Sequence, residues 1–127
     1  MPDNNQINTE RKYAPNTVGR QEFVDSISRM AAEVWDFHNR FEIGSGQFEG
    51  QSATDIVANR TSILDEEFNE LAQAISEKEG DEAVADETAD ILFVAMGHAE
   101  AMGNPGIDGI DRVSTKSAAK TSKTHAI

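Results

Sequence analysis

The chain has no cysteine among its 127 residues, which excludes a disulfide framework and a zinc–thiolate site. No apolar run approaches the roughly 18 residues of a membrane span. The polar opening from Met1 to Thr17 lacks the apolar core of a signal peptide, so a cytoplasmic protein is the expectation. Basic residues are scarce: 11 Lys and Arg stand against 23 Asp and Glu, for a net charge of −12. Such a surface cannot neutralise a nucleic-acid backbone. It can still handle a phosphorylated small molecule if a divalent cation stands between them. Strand-like alternation has no length anywhere, and there is no internal repeat. What remains is a one-domain chain, long enough to bury roughly two-thirds of its surface. Its apolar fraction of 38% is modest and suits a core completed by pairing.

Residues 1–17 are polar and aperiodic and read as a flexible arm. From there Phe23, Ile27, Met30, Val34, Phe37, His38 and Phe41 recur at three- and four-residue steps, the pattern of an amphipathic helix. Gly44, Gly46 and Gly50 punctuate a loop. Ser52 or Thr54 is placed to cap a second helix with Leu64, Phe68, Leu71 and Ile75 as its core stripe. Gly80 stands where that helix should stop, and Asp81 where the next should be capped. The third helix carries Val84, Ala85, Ala89, Leu92, Ala95, Met96 and Ala99 before Gly103 and Pro105 end it. A shorter fourth runs from near Asp108 to Lys120, with Ile110 and Val113 inward. The expected fold is an all-α four-helix bundle over residues 18–120, followed by a flexible tail over 121–127.

Most acids here belong to a solvated face, but four resist that reading. With Leu64 at the centre of the second helix's stripe, Glu67 lies only about 60° away. Ile63, Glu70 and Ala74 share its flank. In the third helix the run Ala89 to Met96 is apolar all round except for Asp90, and such a segment is normally buried. Glu87 and Asp90 share one side of it. Buried carboxylates need a cation or a metal, and between Arg60 and Arg112 the sole basic residue is Lys78. Each helix thus presents an acidic pair at i, i+3, on one face. Two facing pairs form an all-oxygen cage, which selects Mg²⁺ or Mn²⁺ over zinc or copper. The competing reading is a charged helix pair at a dimer interface. A di-iron bundle would want Glu-x-x-His pairs, which neither helix has.

These residues read as EExxE (Glu66, Glu67, Glu70) followed by ExxD (Glu87, Asp90). The pattern resembles the MazG-type all-α nucleoside triphosphate pyrophosphohydrolases, a superfamily that also holds dimeric dUTPases and phosphoribosyl-ATP pyrophosphatase. Arg60 precedes the acids much as an arginine does in relatives. Phe37-His38-x-x-Phe41 resembles the family's first-helix aromatic motif. Val113-x-x-Lys116-Ser117-x-x-Lys120 resembles its C-terminal lysine element, with Ser117 where asparagine is usual. The likeness runs from about Val34 to Lys120. It implies hydrolysis of a nucleoside or deoxynucleoside triphosphate between the α and β phosphates. It also implies a homodimer or a dimer of dimers, with residues of more than one subunit near each site.

The residues suit that chemistry. Glu67, Glu70, Glu87 and Asp90 are the expected Mg²⁺ ligands, the ion offsetting phosphate charge. Glu66 points about 100° away from Glu67 and is a candidate base for the attacking water, a ligand of a second metal, or an exposed acid. Arg112, Lys116 and Lys120 recur every four residues, a cationic face for outer phosphate oxygens beside Arg60, or else a basic C-terminus favoured by the helix dipole. Trp35, His38 and Phe41 are candidates for holding the base, though such stripes are usually core. His98 carries no signal of its own, and His125 lies in the tail. Phosphoribosyl-ATP as substrate, or a non-catalytic helical interaction module, are the alternatives.

Overall fold

The computed structural model describes residues 17–43 and 50–121; the expected arm, most of the glycine loop and most of the tail lie outside them. Among the described residues the secondary structure is entirely helical: α1 (Arg20–Arg40), α2 (Ala53–Ala58), α3 (Thr61–Ser76), α4 (Asp81–Ala101) and α5 (Asn104–Ala118). Helix α4 is the hub, packing against each of the other four. No helix among the described residues is long and apolar enough to cross a membrane.

Helix α1 follows its periodicity. Ile27, Met30 and Phe37 are half-buried and Val34 and His38 are buried, whereas Phe23 at its start and Phe41 just beyond its end are exposed. Phe37 meets Phe93 of α4 edge-on, with ring centroids 5.8 Å apart and planes at 87°, the geometry aromatic quadrupoles favour. The expected second helix is two. Ser52 closes a capping box with Asp55 over α2, and the chain breaks at Asn59–Arg60 before α3 begins.

The inward face of α3 also differs from the expected stripe. Leu64, Glu67 and Leu71 are half-buried and Ala74 is 1% exposed, while Phe68 and Ile75 are 51% and 58% exposed. The buried stripe is therefore rotated toward the acids. In α4 the run expected to be buried all round keeps an open side, with Leu92 and Ala95 exposed.

Two stops also moved. Helix α3 ends in a Schellman turn, Lys78 N–H donating to the Ile75 carbonyl (3.2 Å) and Glu79 N–H to that of Ala74 (3.1 Å). Lys78, not Gly80, takes the left-handed conformation there (φ 54°). Pro105 opens a helix rather than ending one, sitting in the first turn of α5, where its missing N–H costs nothing. Gly106 makes the close approach of that helix to α4 possible, because a Cβ there would lie 1.8 Å from the Ala99 carbonyl oxygen.

Candidate functional site

A four-residue turn folds α4 back along α3 as a helical hairpin. Glu70 and Glu87 each lie six residues inside the hairpin ends of their helices, and Glu67 and Asp90 each lie nine. Equal depth puts the two pairs at one height, and the i, i+3 spacing turns each pair to one side. One carboxylate oxygen from each of Glu67, Glu70, Glu87 and Asp90 lies within 4.8 Å of the others. Among the described residues no lysine or arginine forms an ion pair with any of them.

The two inner members carry the strain. Oε2 of Glu67 and Oε2 of Glu87 are buried without a hydrogen-bond partner. Burial raises the Glu67 carboxyl above the usual carboxylate range, and the negative charges of Glu70 and Asp90 raise it further. Glu87 is raised in the same way, first by burial and then by the charges of Glu70 and Asp90. Asp90 itself is exposed, so it approaches the group from the solvent side rather than from a buried helix. Four carboxylates brought together, two of them carrying an orphaned buried oxygen, are hard donors that could hold a metal ion.

The other expected site residues are more dispersed. Glu66 is exposed on α3. Arg60 is the N-cap of α3 and is half-buried, its Nε shut off from solvent without a partner. It stands two helical turns, about 10 Å, from the level of Glu67. Arg112, Lys116 and Lys120 are fully on the surface of the α5 end. Arg112 edges a groove of about 520 Å³ between α4 and α5, with Ala99, Met102 and Ile110 in its lining. Ala99 is nine residues beyond Asp90, about 13 Å along α4.

Trp35 on α1 and Phe41 just beyond its end are 56% and 60% exposed, and the Arg40 guanidinium lies 6.0 Å from the Phe41 ring centre. His38 is turned inward at 3% exposed, its Nδ1 2.6 Å from Oε1 of Glu100. Glu100 had no signal in the sequence, because its partner is 62 residues away. His98, equally silent, is buried beside Arg60.

A helical bundle whose central hairpin gathers four carboxylates at one point has the framework of the all-α nucleotide pyrophosphohydrolases. A family model, phosphoribosyl-ATP pyrophosphohydrolase, matches residues 34–115. That is well over half of the 127 residues, and the chain belongs to this family. No curated protein and no solved structure matches the chain significantly. The chain is thus a nucleotide pyrophosphohydrolase by family, acting on a phosphoanhydride bond.

Proposed function

We propose that the chain is a Mg²⁺-dependent pyrophosphohydrolase of MazG type, cleaving nucleoside or deoxynucleoside triphosphates between the α and β phosphates. The observation that carries this reading is the pair of buried, unpartnered carboxylate oxygens on Glu67 and Glu87, faced by Glu70 and Asp90 with no lysine or arginine paired to any of the four among the described residues. Those four acids would hold the ion, with Mn²⁺ as a possible substitute. A bound Mg²⁺ supplies Lewis-acid charge at the phosphate oxygens where negative charge develops. Glu66, exposed on the neighbouring face of α3, would accept a proton from the attacking water or ligate a second ion.

Trp35 and Phe41 offer aromatic surface for a base, whereas His38 reaches a nucleotide only by leaving Glu100. Arg60, Arg112, Lys116 and Lys120 would meet the outer phosphates. A homodimer or dimer of dimers would let cations of one chain meet the acids of another. The exposure of Val24 and Trp35 on α1, Phe68 and Ile75 on α3, and Ile107, Ile110 and Val113 on α5 supports such pairing.

A second substrate reading, phosphoribosyl-ATP, is favoured by the family that matches. The test is pyrophosphate release from a panel of ribo- and deoxynucleoside triphosphates and phosphoribosyl-ATP, with and without Mg²⁺. Release that needs Mg²⁺ and disappears in folded Glu67→Gln and Asp90→Asn supports the site, and the panel ranks the substrates. Absence of release from every compound would leave the helical interaction module as the better description.

A further inference from the structure

Two helical turns from the acids lies a second set of buried and half-buried ionisable groups, two of which, His98 and Glu100, have no part in the proposed reaction. Helix α1 contributes His38, the start of α3 contributes Arg60, and α4 contributes His98 and Glu100. His38 and His98 are 3% and 7% exposed. The set contains three bases and one acid, and that acid is engaged: Glu100 Oε1 lies 2.6 Å from His38 Nδ1. His98 Nε2 and Arg60 Nε are both buried without a partner. The sole acid of α2, Asp55, is exposed and held in the capping box with Ser52. Helix α5 reaches this end of α4 through Gly106 on Ala99, and its charged residues, Asp108, Asp111, Arg112 and Lys116, are all exposed.

We propose that this cluster is a proton-operated latch: proton uptake by His98 releases α1 and the start of α3 from the C-terminal half of α4. The new charge would arise in the interior beside a guanidinium and a second imidazole, with no free carboxylate to receive it. His38 is packed so closely on α4 that a Cβ at Gly97 would lie 3.1 Å from its Nε2. The strain is relieved by parting the helices, and the parting begins at the end of the α3–α4 hairpin opposite its turn. The acid pairs sit seven and eight residues away, at Glu67 and Asp90, so the latch acts on the register that holds them together.

The direction in pH follows from burial. Burial first, and the charge of Arg60 second, lower the proton affinity of His98 below its ordinary value of 6.5, outweighing a hydrogen bond to the Arg60 backbone that favours the charged ring. The unfolded chain then takes up the proton more readily than the folded one. Stability is whole above about pH 6.5 and falls as the pH drops below it.

The test is the melting temperature of the metal-free chain at pH 7.5 and 5.5, for wild type and His98→Gln. The acid pairs are present in both proteins, so their own titration cancels in the comparison. The wild type is expected to lose on the order of 5 °C more than the variant across that interval. Equal losses would overturn the proposal. Should the variant not fold, the wild type decides alone: the imidazole proton signal of His98 is followed by NMR while amide exchange is read in α1 and α3. His98 remaining neutral until those amides lose protection is the expected result. Titration of His98 near 6.5 with protection intact would refute the latch.

Discussion

Replacing Gly106 by alanine would add one methyl group where the structure has no space for it. The Cβ would lie 1.8 Å from the Ala99 carbonyl oxygen and 2.7 Å from its carbon, both backbone atoms of α4. An ordinary carbon–oxygen contact is about 3.3 Å, so α5 would have to retreat by roughly 1.5 Å. Alanine recovers about 1 kcal/mol of helix propensity, but overpacking of this kind costs up to about 3 kcal/mol and occasionally more. With backbone on the far side, nothing flexible can yield, and a net loss of about 2 kcal/mol or more is expected. Gly109, one turn further along the same helix, provides the control. A Cβ there meets only the Arg112 guanidinium, at 3.8 Å, which is ordinary contact. Gly109→Ala should therefore stabilise by about 0.5–1 kcal/mol. Urea unfolding followed by far-UV circular dichroism measures both. Coincident midpoints for the two variants would refute the α4–α5 packing described above.

Further outcomes follow from the same geometry. Lys78 is exposed and left-handed at φ 54°, so Lys78→Gly should raise stability by about 1 kcal/mol in thermal unfolding. Ser52→Ala removes half of the α2 capping box and should lower stability by about 1 kcal/mol, read as a shifted urea midpoint. The raised carboxyls of Glu67 and Glu87 bind protons more readily folded than unfolded, so their favourable contribution is complete below about pH 4.5 and is lost as the pH rises. Without metal, wild type should therefore lose stability relative to Glu67→Gln between about pH 4.5 and neutrality. With saturating Mg²⁺ at pH 7.5 the order should invert.

The helical fold and the clustering of the four acids were legible because they depend on short-range spacing. The i, i+3 pairs place Glu67 with Glu70 and Glu87 with Asp90 whatever the tertiary context. Their equal distance from the turn, apparent only once the helix ends at Ser76 and Asp81 are placed, is what brings the pairs together. Periodicity was a weaker guide to which face turns inward. Phe68 and Ile75 look like core but are exposed, and Glu67 takes the inner position. The break at Asn59–Arg60 has no glycine or proline to announce it, and Pro105 is equally able to end one helix or begin the next. The pairing of His38 with Glu100 bridges 62 residues, and no local pattern encodes it. His98 next to Arg60 is a consequence of the hairpin register, which becomes apparent only once both helices are placed.

The account rests on four carboxylates acting as one metal site, and calorimetric titration of Mg²⁺ into the full chain addresses that directly. Wild type should bind the ion and melt at a higher temperature in its presence. Glu87→Gln and Asp90→Asn, both still helical, should bind it at least about tenfold more weakly. Absence of Mg²⁺ and Mn²⁺ binding by the wild type, or unchanged affinity in both variants, would contradict the site.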